Sequence, residues 1–295
     1  MIVDSSPRIR QFYTDVKKHL LLLFVWDLLV TFFYYKMPFT APVLPLSIFG
    51  SVLAIFLGSR VNSAYQRWWE GRTLWGQLVN YSRSLTRISV NLLRKDDAAK
   101  ALAESIVIRQ IAFVHLLRSQ LRRIPIDASI TSGLDSDLQQ AVAASANKAN
   151  CVLTSIGRSI QHAVNNQWID TIQQASFEEV LINISNAQGG MERIKNTPLP
   201  NQYRIFPEIF TRIFCVMLPI GLVESLGFAT PFGSTVAGFM FLVALHIGDD
   251  LADPFANTIH DLPLNAICRT IEIDLLQGIG KHAPEPAQAD KGILW

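Results

Sequence analysis

"LSIFGSVLAIFLGSRVNSAYQRWW", Leu46 to Trp69, begins as a stretch suited to lipid and ends as one suited to water. One seam runs through both halves. Ser47, Ser51, Ile55, Gly58, Ser59, Asn62 and Gln66 recur at three- and four-residue spacing, so they fall on one side of a helix. Leu46, Ile48, Phe49, Val52, Leu53, Phe56, Leu57 and Val61 surround them. Two readings are open. Small residues let helices approach closely in lipid, which makes the stripe a packing seam. The stripe is otherwise a wall that faces water, and a single stripe encloses water only when repeated around a ring of identical subunits.

Composition sets the class. The chain has 295 residues, 49% hydrophobic and 17% charged, with a mean hydropathy of +0.25. It is too apolar for an ordinary soluble protein and too charged to lie wholly in lipid, so a membrane protein with a large aqueous portion is expected. A net charge of +2 gives no reason to expect a nucleic-acid partner. Cys151, Cys215 and Cys268 are odd in number and far apart, with no disulfide framework or zinc spacing, which suits a reducing interior. About 18 residues precede the first apolar run and no small-residue cleavage site follows it, so no cleavable signal peptide is expected.

Four apolar segments stand out, at about 19–35, 43–61, 209–228 and 230–247. Each is about long enough for a ~30 Å hydrocarbon core at ~1.5 Å per residue. Aromatic clusters at their ends, Phe32 to Tyr35 and Trp68–Trp69, fit the membrane interface better than a soluble core. Arg8, Arg10, Lys17 and Lys18 precede the first segment, and Arg60, Arg67, Arg72, Arg83 and Arg87 follow or close the second. Only Lys36 lies between them. Positive residues stay inside, so both termini and the central region are expected to be cytoplasmic, in a multi-pass protein.

Residues 62–206 read as soluble helix, with apolar residues at helical spacing and no alternation that argues for a sheet. Punctuation is expected at Lys95–Asp97, Pro125–Asp137 and Gly189–Gly190, with weak spots at Pro198 and Pro200. Residues 248–281 continue the helical aqueous region, and the Pro/Ala-rich tail 282–295 is expected to be loose. The whole reads as an all-α membrane protein of four spans per subunit, forming one continuous body from 1 to 295.

Three motifs then point to a family. "LAIFLGSRVNSAYQRWWEGRTLWGQL" resembles the corresponding stretch of bestrophins, "MERIKNTPLPNQY" (Met191 to Tyr203) resembles their segment before the third span, and "DDLADPFANTIHDLPLN" (Asp249 to Asn265) resembles the one after the fourth. The likeness covers most of the chain and is greatest to the bacterial bestrophin-like branch. It implies a homopentameric ion channel in the bacterial inner membrane, with one central pore, a membrane neck lined by the second helix and a constriction in a cytoplasmic vestibule. By that resemblance the neck falls at Ser51, Ile55 and Ser59, with Ser47 and Asn62 also lining the pore. These positions lie on the stripe already found. Animal members carry bulky residues at all three neck levels. Here only Ile55 is large, and a ring of it could gate by dewetting. The cytoplasmic constriction aligns with Ile172, for which a helix-core isoleucine is the alternative reading.

Calcium-gated relatives hold the ion after the fourth span with clustered aspartates. Here only Asp261 stands at a matching position, while Thr258 and His260 occupy acidic places. A Ca²⁺ site wants about 6–8 oxygens, so no calcium clasp, no other metal site and no cofactor are expected. Asp253, Asn257 and Asp261 instead fit capping and turn formation around Pro254 and Pro263. "DDLAD" also fits the DDxxD pattern of a Mg²⁺-dependent membrane prenyltransferase, but Asp96–Asp97 and Asp135/Asp137, the candidates for its second motif, sit in loop-like surroundings. Four spans without an inverted repeat speak against a carrier. No triad, nucleophile elbow or ligand spacing of histidines assembles, so no enzyme is expected. Asp27 and Glu224 are acidic residues within spans, which are functional suspects by default. Arg212 is expected to pair with one of them.

The sign of the ion is divided. Family members pass chloride or monovalent cations. Ser51 and Ser59 can solvate either sign. Asp170, Glu178 and Glu179 near the second constriction, repeated around a ring, attract cations. Arg60 would favour anions if it faced the lumen, but it follows Ser59 directly and so lies ~100° away, toward a subunit contact. A sodium-type cation channel is the favoured expectation, and an anion channel of the same architecture is the alternative.

Overall fold

A computed structural model describes Met1, residues 9–37 and residues 42–295, with side chains from residue 17 onward. Arg8 and the Arg10 side chain, two of the charges expected to flank the first span, lie outside the described residues. Helices dominate: α1 (Ile9–Lys36), α2 (Leu46–Leu92), α3 (Asp97–Arg122), α4 (Ser136–Ala144), α5 (Lys148–Asn165), α6 (Thr171–Asn196), α7 (Asn201–Leu226), α8 (Thr230–Ala252) and α9 (Leu264–Gly278). The pairing of Asp290 with Ile293 is the single strand-like bridge among the described residues.

Three helical stretches are long and apolar enough to cross a membrane: Lys17–Lys36, Leu46–Leu92 and Asn201–Ala252. The last contains both later apolar segments. A 3₁₀ turn at Gly227–Ala229 divides it, with Gly227 at φ 54°, and α7 and α8 pack against each other on either side of that turn. The helix that begins in the second apolar segment continues past residue 61. With no Pro to stop it, α2 runs 47 residues.

The chain divides into two compact units, and α2 contributes to both. One unit comprises α1, α2 up to Trp68, and Pro198–Asp253. Helices as apolar as these gain little hydrophobic drive from one another in lipid, where close approach and polar contacts hold them. Small residues supply the approach. A Cβ on Gly238 would stand 2.4 Å from Leu23 Cδ2, one on Gly221 2.6 Å from Leu46 Cδ1, and one on Gly50 3.2 Å from the Phe214 ring. Leu53 and Leu57 of α2 form a buried cluster with Phe214 and Leu218 of α7.

The other unit comprises Trp69–Thr197 and Pro254–Trp295 with Met1. Burial of apolar faces drives its packing. Ala149, Val152, Leu153, Ile156, Ile160 and Ala163 make one buried face of α5, which packs on α3 and α6. Trp75, Phe113 and Phe177 are fully buried within the same unit. Breaks fall where expected before Asp97, between Arg123 and Asp135, and around Pro198–Pro200. Gly189–Gly190 is not punctuation but mid-helix in α6. A Cβ on Gly190 would meet Leu74 Cδ1 at 2.9 Å, so this glycine marks a close approach. The tail is tied at its end. Ala266 N–H donates to the Trp295 carbonyl at 2.8 Å, Leu294 N–H donates to the Met1 carbonyl at 2.9 Å, and Ile293 is buried.

Candidate functional site

The striped face of α2 points away from the side that packs. Leu53, Leu57, Arg60 and Ala64 are buried. Ile55 stands two positions from Leu53 and two from Leu57, so at ~100° per residue it projects to the opposite side. It is 72% exposed. Ser47, Ser51, Ser59, Asn62 and Gln66 are exposed with it. The stripe is therefore no seam between α2 and the other helices of its own unit.

Hydroxyls on it and beside it have a fixed sense. Ser51 Oγ donates to the Ser47 carbonyl at 2.7 Å, and Ser63 Oγ donates to the Ser59 carbonyl at 2.9 Å. A carbonyl cannot donate, so the Ser51 proton is committed along the helix. Its oxygen lone pairs remain for whatever lies outside.

Arg60 corrects the sequence reading. Its side chain is 3% exposed and its guanidinium pairs with Asp249 of α8, so it is turned into its own unit. Seven residues on, Arg67 Nε donates to the Ala252 carbonyl at 3.0 Å and satisfies one of the orphan acceptors at the α8 C-terminus. Spacing along α2 could have placed these arginines on one face. It could not name partners about 185 residues away.

The carboxylates within the apolar segments also differ from expectation. Arg212 pairs with Glu208 one turn earlier, at 2.5 Å, rather than with Asp27 or Glu224. Asp27 is fully buried and accepts from Ser234 Oγ at 3.1 Å and Thr235 Oγ1 at 2.9 Å. These bonds join α1 to α8. Glu224 is exposed.

Ile172 is the second residue of α6 and is 78% exposed, which excludes the helix-core reading. Asp170 closes a capping box at the same helix start. Its carboxylate accepts from Gln173 N–H at 2.7 Å, and Gln173 Oε1 accepts from Asp170 N–H at 3.0 Å. Glu178 and Glu179 are exposed further along α6.

The acidic segment after α8 is a closed turn. Asp261 is buried, and its two oxygens accept from Thr258 N–H at 2.7 Å and Thr258 Oγ1 at 2.9 Å. Leu262 N–H donates to the Pro254 carbonyl at 3.2 Å, and Asn257 takes φ 70°. In "DDLAD", Asp249 is bound to Arg60, and Asp250 lies 3.8 Å from His246. No three or more His, Cys, Asp or Glu gather as metal ligands among the described residues.

The sequence model of the Bacterial/Fungal Bestrophin protein family matches residues 11–277. The voltage-dependent anion channel-forming protein YneE of Escherichia coli K12 is 37% identical over 278 residues, which span 93% of this chain and 90% of that protein. YneE of Salmonella typhi is 40% identical over 233 residues, 79% of this chain and 75% of that protein. The crystal structure of a bacterial bestrophin homolog from Klebsiella pneumoniae superposes with a TM-score of 0.85 at 31% identity, covering 90% of this chain and 99% of that one. The match runs from α1 through nearly all of α9, and the relatives carry the names of channels, not enzymes. With family sequence and helical architecture in agreement over nine-tenths of its length, this chain belongs to the bacterial and fungal bestrophin family.

Proposed function

We propose that the chain is one subunit of a pentameric channel that passes small monovalent ions passively. The observation that carries the reading is the α2 stripe, exposed and opposite the face by which α2 packs in its own unit. Five copies around an axis would enclose a pore. Ser51, Ile55 and Ser59 form its neck, Ser47 and Asn62 line it further, and Ile172 rings a second constriction beside Asp170, Glu178 and Glu179. Ile55 is the single large apolar neck residue, and its ring gates by dewetting. The subunit crosses the bacterial inner membrane four times, with α7 and α8 as a hairpin of two spans. Lys17, Lys18, Arg67, Arg72, Arg83 and Arg87 keep both termini cytoplasmic. No cofactor is required. Asp261 is engaged within its own turn, so gating is independent of calcium, and currents persist in EGTA.

Monovalent cations of the sodium type are the favoured ions. Ser51 offers lone pairs, the α6 carboxylates are exposed, and Arg60 is buried against Asp249. A second reading, selectivity for anions, is favoured by the names of the YneE relatives. Bilayer recording under a NaCl gradient separates the two. A reversal potential near the sodium equilibrium value supports the first, and a shift to the chloride value replaces it with the second. Absence of any current overturns the channel reading.

A further inference from the structure

We propose that the cleft between α3, α4 and α5 binds a small zwitterion of the amino-acid type, and that its occupancy sets how far the channel opens. The binding half stands on its own geometry. The gating half rests on the channel reading above.

The cleft is a cavity of about 410 Å³, in the ~300–1,000 Å³ range of small-molecule sites. Arg109 of α3 builds its back wall. The guanidinium donates to the Ser155 carbonyl at 3.2 Å, to Ser159 Oγ, and to Asp135 Oδ2 at 3.0 Å. Asp135 also caps α4, accepting from Leu138 N–H at 2.9 Å. Arg109 and Asp135 are thereby neutralised and held, and one planar fork ties three helices together.

Two charges on the same cavity are left over. Arg158 of α5 makes no hydrogen bond or ion pair with any described residue. Asp137, in the first turn of α4, accepts only a long bond from Ser136 Oγ at 3.4 Å. They do not pair with each other, although both line the cleft. Both are exposed to water, so a ligand with one charge draws on one of them and leaves the other solvated. A zwitterion serves both, its carboxylate taken by the Arg158 fork and its ammonium by Asp137. Leu102, Leu138 and Ala141 offer apolar surface for a side chain.

The cleft also reaches the start of α6. His162, one turn beyond Arg158, lines it and stands edge-on to Trp168 at 5.6 Å. Trp168 Nε1 donates to Asp96 Oδ2 at 3.0 Å. Two residues later Asp170 caps α6, and two after that comes Ile172. A ligand that prefers one setting of His162 biases Trp168 and the helix start that carries the proposed constriction.

Calorimetry on the full chain in detergent tests the site, with glycine and L-glutamine as probes and acetate and methylammonium as single-charge controls. At least one amino acid should bind about tenfold or more tighter than either control, and Arg158→Gln and Asp137→Asn should each weaken it about tenfold or more. Both positions are exposed, and thermal unfolding of the variants verifies their folding. No heat from either amino acid, controls that bind as tightly, or variants that bind like the parent overturn the site. Bilayer currents with the bound amino acid in both chambers test the coupling. A change in open probability of about twofold or more, lost in Arg158→Gln, supports it. Binding with unchanged current overturns the gating half alone. Binding by a protein that passes no current overturns the gating half together with the channel reading and leaves the site standing.

Discussion

Ile55 is the residue on which the proposed neck turns, because Ser51 and Ser59 leave it the only bulky side chain at those levels. Replacing it with alanine shortens the apolar ring and lets water through. Ile55→Ala should raise current several-fold in single-channel recordings, and unchanged conductance and open probability would falsify its assignment to the gate. That Ile55 lies on the exposed side of α2 was legible, because a stripe of period 3.6 needs no knowledge of the rest of the chain. Arg60 was not. Its neighbours in sequence say only that it lies off the stripe, and its fate is decided by Asp249. A second residue carries a pH signature. Glu272 of α9 is held below the usual carboxylate range, chiefly by its hydrogen bond with His115 and then by charges including Arg269. A depressed folded pKa gives stability that is full above the unfolded value of about 4.3 and is lost as the pH falls through the folded value. Glu272→Gln should therefore lower the melting temperature near neutral pH, and the difference from the parent should shrink as the pH falls below about 4. A constant difference from pH 7 to pH 3 would remove Glu272 from the acid response.

At the scale of the element, α6 makes the sharpest statement. Glycine is the weakest helix former after proline, so Gly189–Gly190 reads as a break. The helix instead continues through both, and the two glycines differ in what surrounds them. A Cβ at Gly189 meets nothing within 4 Å, while one at Gly190 presses on Leu74. Gly189→Ala should stabilise by up to ~1 kcal/mol through helix propensity. Gly190→Ala gains the same term and loses ~1–3 kcal/mol to overpacking, so it should be neutral to clearly destabilising. A raised melting temperature for Gly189→Ala beside an unchanged or lowered one for Gly190→Ala checks the pair, and equal shifts would show that Leu74 simply moves aside. The starts of α5 and α6 were missed although their caps are written in the chain. Asn147 and Asp170 accept from the backbone three residues on. An Asn or Asp before an apolar run was the available signal. The unbroken course of α2, in contrast, followed from the absence of proline between Leu46 and Leu92.

At the scale of the whole molecule, the helices and the lack of strands among the described residues were legible, because hydrophobic period and apolar runs are local. The division into two compact units was not, since it depends on which helices pack far apart in sequence. Subunit number is also not written in one chain. Light scattering on the protein in mild detergent should give a protein mass near five times 33.0 kDa, and a monomer there would remove the central pore. The cysteines open a second route to that number. Cys215 and Cys268 are buried, and burial pushes the Cys268 thiol up to about 12. Cys151, on α5, is partly open to solvent. A fluorescent maleimide thus finds one reachable thiol per subunit in the native sequence. Each assembled particle then carries one dye for every chain it contains, and single-molecule photobleaching of fully labelled particles should descend in five steps with no cysteine added or removed.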